Sequence, residues 1–200
     1  MFPNVHQSTL VDEQEGFAVE ILFSLWRKEV MEMDTIKKNG MYFTVDIKNI
    51  FLAVGGCFDD TKERPVVTLF QSIEHPTIFW AIPMGNASHR SEEQLERILN
   101  YTELPRKDIR SCFYHIGRTT VRSIFFISDV FPITTDYILR EYTAHNKHYI
   151  IKNKNLLSEL DEKLRRILSY EQSKIKTTGK FFFRQNIFGV YDTLVKTNVP

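Results

Sequence analysis

The chain has 200 residues, of which 42% are hydrophobic and 26% are charged, and its formal net charge is +1 at pH 7. These values are typical of a globular chain that buries its own core, and they exclude a disordered, collagen-like or disulfide-rich protein. Cys57 and Cys112, the two cysteines, are too few for a disulfide framework or a zinc site. The first residues lack the pattern of a signal peptide, so we expect a cytoplasmic protein that does not span a membrane.

The first predicted element is a helix over residues 12–35, where apolar residues recur at helical spacing and acidic residues occupy the first turn. Asn39-Gly40 interrupts this pattern. We therefore predict a mostly helical N-terminal extension, residues 1–40, followed by the main domain, residues 41–200. The first half of that domain is expected to contain strands at 41–47, 64–72 and 77–82 and helices at 48–54 and 91–101.

The segment "GNASHR", residues 85–90, lies between two of these elements. The run of β-forming residues before it stops at Pro83, and the helix after it has Ser91 at the capping position with Gln94 three residues on. The segment is either a plain connection or a set of polar groups that converge on a substrate. A serine at this place is most simply an N-cap.

The second half of the domain combines a hairpin with two C-terminal helices. Strands are predicted at 110–116, 121–130 and 148–152, with a largely irregular stretch at 131–142. Leucines at helical spacing predict a long amphipathic helix over 153–174, and a basic loop, 176–180, leads to a final helix at 181–195. Short strands without βαβ alternation predict an α+β fold, a strongly curved antiparallel sheet with helices on its outside.

Charge is distributed unevenly along the chain. Residues 1–100 carry 9 Lys or Arg against 15 Asp or Glu, whereas residues 145–200 carry 11 against 5. A basic C-terminal part favours a polyanion as partner. The alternative is that these charges are the solvated faces of exposed helices, where charge runs are common.

Several kinds of catalytic site are excluded by the residues that the chain lacks. It has no Gly-rich phosphate loop, no zinc-binding set of His and Cys and no Gly-x-Ser-x-Gly motif. The acidic pair Asp59-Asp60 lacks neighbours typical of a magnesium site. We therefore expect neither an NTPase nor a metal-dependent nuclease, and no cofactor or metal.

Cations, hydroxyls and imidazoles remain at the ends of the predicted strands. These groups suit RNA cleavage without a metal ion, in which one group removes the 2′-hydroxyl proton, another protonates the leaving oxygen and cations stabilise the charge on the phosphate. Imidazole suits the proton steps near neutral pH, and arginine binds phosphate through two hydrogen bonds. The candidates are Lys62, Arg64, Asn86, Ser88, His89, Arg90, His115, Arg118, Thr119 and Thr120.

Each candidate also has a structural interpretation, so these residues alone do not identify a reaction. His89 fits a surface residue beside a helix, and His115, in an apolar strand, fits a buried histidine better than a catalytic one. Arg64 fits a residue that merely flanks its strand. Phe79 and Trp80 fit the hydrophobic core better than a base-stacking surface.

The order of several segments resembles a known family. "ERPVVTLF" is followed by "HPTIFWAIPMGN", then by "IRSCFYHIG" and "VRSIFFISDVFPIT", a long helix and a closing "IFGVYDTLV". Over residues 41–195 this order is similar to that of the toxins of type III toxin–antitoxin systems, of the CptN/ToxN/AbiQ-like type. The shared motifs are an Arg-Pro before a strand, a strand ending in Trp-x-x-Pro, a polar loop and a Phe-Pro-Ile/Val-Thr after a later strand.

The resemblance implies a small curved sheet related to the MazF/Kid toxin barrel and a metal-independent endoribonuclease that leaves a 2′,3′-cyclic phosphate. It also implies target mRNA, inhibition by a small repeated RNA that folds as a pseudoknot, a homo-oligomer or closed ring of protein and RNA, and a role in abortive infection. The N-terminal helix is additional to the family pattern, and we expect it to cover a sheet edge or to contact a neighbouring subunit.

The family usually places a basic residue before the second strand and a Ser or Thr pair after the next strand. Arg64 matches the basic position, whereas Gly85 and Asn86 stand where the hydroxyl pair would be. The resemblance then makes His89 the leading acid/base candidate, with Ser88 and Asn86 positioning the scissile group.

Further RNA contacts are expected around this cleft. His115 and Arg118 would approach from the neighbouring hairpin, and Lys62 and Arg90 would flank the cleft. The basic C-terminal part would bind the RNA backbone through Lys152, Lys154, Arg165, Arg166, Lys174, Lys176, Lys180 and Arg184. Residues expected either to stack on bases or to belong to the core are Tyr114, Tyr137, Tyr142 and Tyr149.

Three alternatives stay open at this point. The first is a MazF-like toxin that a protein antitoxin inhibits, and the second is a non-catalytic RNA-binding module, which the missing hydroxyl pair favours. The third is an unrelated α+β interaction protein whose acidic N-terminal helix binds the partner.

Overall fold

An antiparallel β-sheet between helices forms the part of the chain that the computed structural model describes, residues 36–45, 47–57 and 64–197. The strands are β1 (Met41–Thr44), β2 (Val66–Gln71), β3 (Phe79–Asn86), β4 (Tyr114–Arg118), β5 (Arg122–Phe126), β6 (Phe131–Ile133), β7 (Ile138–Glu141), β8 (Thr143–Ala144) and β9 (Lys147–His148). The helices are α1 (Ile47–Ala53), α2 (Glu92–Thr102), α3 (Lys154–Thr178) and α4 (Ile187–Thr197).

The main sheet has the strand order β4-β5-β3-β2-β1-β7, and all of its neighbouring strands are antiparallel. β6 pairs with β3 off this path, and β8 and β9 form a separate hairpin. Within the described residues the sheet is open, with β4 and β7 at its two ends. The predicted α+β class, an antiparallel sheet with peripheral helices, is confirmed.

The two faces of the sheet pack against different helices, because neighbouring residues of a strand point to opposite faces. Phe125 of β5 belongs to the main core, together with Leu160 and Leu164 of α3. The next residue, Phe126, belongs to a smaller cluster with Ile98 of α2. The sheet is therefore the middle layer between α2 and α3.

Most elements predicted for the described residues are present. Ser91 caps α2 as predicted, since its Oγ accepts a hydrogen bond from Gln94 N at 3.3 Å. The stretch 131–142, predicted to be largely irregular, instead contains β6 and β7 on either side of one turn. The predicted N-terminal helix lies outside the described residues, so the extension of residues 1–40 stays a prediction. None of the helices in the described ranges is long and apolar enough to cross a membrane.

The predicted stop at Pro83 is wrong, because β3 continues to Asn86. One edge of β3 pairs with β6 before Pro83 and with β5 after it, starting at Met84. Met84 N donates to Pro65 O on the opposite edge, so the nitrogen of Pro83 faces the gap between β6 and β5. Proline fits there because no partner strand requires a hydrogen bond from it.

α3 is longer and α4 is shorter than the sequence predicts. α3 continues through part of the predicted basic loop and ends before Gly179, whose φ of 68° is the left-handed conformation that glycine adopts at helix ends. The predicted helix start at residue 181 is wrong. The buried carboxylate of Glu171 accepts hydrogen bonds from Phe182 N (2.8 Å) and Phe183 N (3.3 Å) and holds this stretch in a non-helical turn.

Glu171 is expected to make the stability of the fold depend on pH. Burial raises the pKa of its carboxyl above the ordinary value, and the hydrogen bonds from Phe182 and Phe183 offset part of this rise. The free energy of unfolding should therefore fall as the pH rises from the ordinary glutamate pKa through the raised one, because ionisation costs more in the folded state. Glu171→Gln, which keeps an acceptor for both N–H groups, should lose this fall when denaturant unfolding is measured from about pH 4 to about pH 8.

Glu171→Ala separates the acceptor role from the charge. Without an acceptor, two N–H groups lose their partner, and the free energy of unfolding should drop by about 1–3 kcal/mol across the same pH range. A Gln variant that follows the pH dependence of the parent would contradict this role of Glu171.

Candidate functional site

A cavity of about 410 Å³ lies at the end of β3. Segments far apart in the sequence line it: β1, the residues before β2, the end of β3 with the turn that follows, the β4–β5 turn and the residue after β7. Six of the candidate residues line this cavity together: Arg64, Asn86, His89, Arg90, Thr119 and Thr120. The segment "GNASHR" is therefore one wall of a cavity as well as a connection.

Two arginines that line the cavity lie beside the same aromatic ring. The Cζ atoms of Arg64 and Arg90 lie 5.5 Å and 5.2 Å from the centroid of the Phe126 ring. The carbon that a side chain at Gly85 would add lies 3.5 Å from an Arg90 Nη atom, which is ordinary van der Waals contact, so Gly85 lies directly beside the guanidinium.

The electrostatics around Arg90 favour an anion. Burial, and then the Arg64 guanidinium, lower the pKa of Arg90 from its ordinary value. Within the described ranges, no carboxylate forms an ion pair with Arg90. A partly buried guanidinium beside a second cation interacts favourably with an anion such as phosphate.

Asn86 and Ser88 shape the turn that carries His89. The Asn86 side-chain oxygen accepts hydrogen bonds from Ser88 N and Ser88 Oγ, both at 2.9 Å, and so caps the turn Ala87–His89. Ser88 is exposed and is not among the lining residues, whereas His89 is exposed and lines the cavity. Asn86 and Ser88 therefore shape this turn, and their role in positioning the scissile group stays a prediction.

Three hydroxyl side chains in the cavity come from the β4–β5 hairpin. Thr119, Thr120 and Ser123 line the cavity, and Thr119 Oγ1 lies 2.8 Å from Ser123 Oγ. Asn86 pairs with Ser123 in the β3–β5 ladder, which brings the β4–β5 turn to this place. The sequence places Thr119 and Thr120 at a strand end, but only the pairing of β3 with β5 joins them to Arg64.

Three predicted residues within the described ranges do not line the cavity: Ser88, His115 and Arg118. His115 lies against α3, with Nδ1 3.4 Å from Glu159 Oε2, and burial followed by the charge of Lys163 lowers the pKa of its imidazole. Its predicted approach to the cleft is not observed, because its position on β4 is covered by α3. Arg118 is exposed at the end of β4 and does not line the cavity, and Lys62 lies outside the described residues.

The basic residues of the C-terminal part are spread along α3 and the turn after it. Arg165 pairs with Asp161, Arg166 donates to the carbonyl oxygen of Arg106, and an Arg184 Nη atom lies 3.4 Å from Asp129 Oδ1. Lys174 is half-buried, with Nζ 5.3 Å from the centroid of the Tyr170 ring. The other lysines expected to bind RNA are exposed: Lys152, Lys154, Lys176 and Lys180.

This distribution does not form a single small site. The ends of the lysine set on α3, Lys154 and Lys176, are about 33 Å apart at 1.5 Å per residue. A surface of that length suits an extended polyanion better than a small anion.

Two aromatic side chains also line the cavity. Phe43 and Tyr142 line it, with their ring centroids 5.8 Å apart. Tyr142 was among the tyrosines expected to stack on bases or to belong to the core, and Tyr149 packs edge-on behind it at 6.3 Å. Phe43 is a lining residue that the sequence patterns do not single out.

The part of the chain that the structure describes contains no group of three or more His, Cys, Asp or Glu side chains that could hold a metal ion. No model of a known protein family matches the chain, and no curated protein matches it. The groups in the cavity that bear on function are a pair of arginines, an imidazole, several hydroxyls and two aromatic rings.

Proposed function

We propose that this protein is an endoribonuclease that cleaves RNA without a metal ion and that the cavity at the end of β3 is its active site. The observation that carries the proposal is the close placement of Arg64 and Arg90 beside Phe126, in the same cavity as the imidazole of His89. Paired guanidiniums bind a phosphate, and an imidazole at the same place can move a proton to or from it.

The reaction is a transesterification within RNA. His89 takes the proton of a ribose 2′-hydroxyl, and the 2′-oxygen forms a bond to the adjacent phosphorus while the bond to the 5′-oxygen of the next nucleotide breaks. Water protonates that leaving oxygen, so the products carry a 2′,3′-cyclic phosphate and a 5′-hydroxyl. Arg64 and Arg90 stabilise the additional negative charge on the phosphate oxygens.

The wider form of the proposal follows the family resemblance. The protein is then a type III toxin acting in abortive infection, its sheet is a variant of the MazF/Kid barrel, and its inhibitor is a small repeated RNA that assembles with it into a ring. The exposed lysines along α3 and the turn after it support an RNA partner, because they extend beyond the reach of one small ligand.

The chemistry is tested by its products. The purified full chain, incubated with RNA in the presence of EDTA, should produce 2′,3′-cyclic phosphate ends, and an oligonucleotide with only 2′-deoxyribose should stay intact. Arg64→Ala combined with His89→Ala should abolish cleavage while circular dichroism shows the parent fold. Cleavage by this double variant at the parent's rate would refute the proposal.

A non-catalytic RNA-binding module is the second candidate, and one observation favours it. His115 is held beside Glu159 under α3, which leaves His89 as the one imidazole that lines the cavity among the described residues. RNA that binds with dependence on Arg64 and Arg90 but never acquires cyclic-phosphate ends would support this candidate over the enzyme.

A further inference from the structure

We propose that a patch of aromatic rings and lysines at the C-terminal end of α3 binds the unpaired bases of single-stranded RNA. This α3-end patch consists of six residues, none of which lines the cavity: Tyr170, Lys174, Lys176, Lys180, Phe181 and Phe182. The inference rests on the proposed function, which makes RNA the partner, and deepens it by naming a surface outside the active site that holds the strand.

Two phenylalanine rings of the α3-end patch are open to solvent. Phe181 and Phe182 are 41% and 49% exposed, although burial of such a ring stabilises a fold. Large apolar side chains that stay exposed next to each other commonly mark a binding surface. Phe183, the next residue, is buried in the main core. Only the first two of these three consecutive rings are therefore accessible to a ligand.

Phe182 is held in place by its neighbours. The buried Glu171 carboxylate accepts a hydrogen bond from Phe182 N at 2.8 Å. The Phe182 ring centroid lies 5.1 Å from the ring centroids of both Tyr170 and Phe183, nearly perpendicular to each ring. A ring that is already fixed loses little entropy when a planar base packs on it. Phe182 is therefore suited to stacking with a base.

Lysines lie beside these rings. Lys174 Nζ is 5.3 Å from the centroid of the Tyr170 ring, and Tyr170 in turn contacts Phe182. Lys180 directly precedes Phe181, in a turn where Lys180 N donates to Thr178 Oγ1 at 3.3 Å. Positive charge beside accessible rings matches the phosphates that accompany the bases of an RNA strand.

The charge of this segment favours a polyanion. Residues 173–184 contain four Lys or Arg and no Asp or Glu. Among the residues that the structure describes, the ion pair of this segment joins Arg184 to Asp129, whereas Lys176 and Lys180 are exposed and form none. These two lysines are thus available to phosphates of a bound strand.

The combination of rings and cations favours single-stranded RNA over other anionic partners. Proteins that bind single strands join a cationic surface to rings on which bases stack, and the bases of a duplex are not accessible to such rings. An anionic membrane binds through a larger apolar face than the two half-exposed rings of Phe181 and Phe182.

Fluorescence anisotropy with two labelled probes that the full chain cannot cleave tests the α3-end patch. One is a single-stranded 2′-O-methyl oligoadenylate of about 12 nucleotides, a length typical of such sites, and the other is an abasic oligonucleotide with the same number of phosphates. Phe181→Leu with Phe182→Leu should weaken binding of the oligoadenylate by about 5- to 150-fold, since one stacked base contributes that factor. Binding of the abasic probe should stay unchanged.

Two further variants separate the rings from the charges. Lys176→Gln with Lys180→Gln should weaken the binding of both probes and lower the slope of log affinity against log salt by about 1.4, or about 0.7 for each lost phosphate contact. Ile73→Ala, which changes an exposed apolar residue outside the α3-end patch, should change neither affinity. Circular dichroism of each variant establishes that it is folded.

The result for each probe decides the inference separately from the proposed function. If the parent binds both probes equally, or if the Phe181 and Phe182 variant binds the oligoadenylate like the parent, the inference is refuted. Binding of the parent to vesicles of phosphatidylcholine and phosphatidylserine, but not to the oligoadenylate, would refute it and indicate a lipid surface. A loss confined to the oligoadenylate supports it, whether or not the chain cleaves RNA. Absence of cyclic-phosphate ends in the cleavage assay refutes only the proposed active site.

Discussion

Replacing Arg64 and Arg90 together with alanine is expected to lower the rate constant of RNA cleavage by about 10²–10³-fold, the usual effect of removing groups that stabilise the charge of a transition state. Both guanidiniums lie within 5.5 Å of the same ring in the cavity. Removing only one leaves its neighbour as a partial substitute, so the single variants should lose less. Single-turnover cleavage of a labelled RNA measures the effect without a contribution from product release.

Two controls test whether a loss of cleavage comes from the cavity itself. One removes positive charge elsewhere on the surface, and the other measures the stability of the variant. Arg97→Ala with Arg122→Ala removes two exposed arginines outside the cavity and should leave the cleavage rate within a few-fold of the parent. Thermal unfolding should shift little in the Arg64 and Arg90 variant, since the loss of two cation–π contacts is offset by relief of their repulsion. Cleavage that falls equally in both double variants would contradict a specific role of the cavity.

Lysine at the same two positions tests whether positive charge is sufficient or whether the planar guanidinium contact with phosphate is required. Arg64→Lys with Arg90→Lys keeps both charges but loses the planar two-bond contact with phosphate. We expect RNA affinity to stay near that of the parent while the cleavage rate stays well below it. Full recovery of cleavage by lysine would mean that the arginines act only as positive charges.

Leu164→Ala is expected to cause the largest loss of stability. Leu164 is fully buried in the main core, where it lies on the face of α3 that packs against the sheet. Truncation of such a leucine lowers the free energy of unfolding by about 2–5 kcal/mol, which corresponds to roughly 4–20 °C in Tm for a chain of this size. Differential scanning calorimetry and denaturant unfolding measure the loss.

A matched substitution on the same helix tests whether burial is the cause. Ser169 lies on the exposed side of α3, and Ser169→Ala should change the free energy of unfolding by no more than about 0.5 kcal/mol. A small loss in Leu164→Ala would mean that the packing of α3 on the sheet contributes much less than its burial indicates.

Elements with a strong local pattern were predictable from the sequence. The leucine spacing of α3 specifies one apolar face whatever that face later contacts, and the serine that caps α2 needs only its own backbone neighbours. The hairpins β2–β3 and β4–β5 follow from apolar runs separated by turn residues. The α+β class follows from the order of these elements.

The residues at which β3 ends and α4 begins depend on contacts with distant segments of the chain, which the sequence does not show. Pro83 continues β3 because its nitrogen faces a gap between two partner strands, and α4 starts late because Glu171, eleven residues before Phe182, holds that turn. In both places a side chain or strand far along the chain supplies or removes a hydrogen bond. Local propensity contains no information about such a partner.

The candidates Arg64, His89 and Arg90 were predictable from residue type alone. Guanidinium and imidazole groups are suited to phosphate chemistry in any fold. Only the pairing of β3 with β5 brought the threonines of the β4–β5 turn beside them, and only the packing of α3 on β4 took His115 away. The chemistry of a side chain is a property of each residue, whereas the meeting of several side chains in one cavity depends on strand register and helix packing. These arise from contacts between segments tens of residues apart, and so they become visible only in the folded chain.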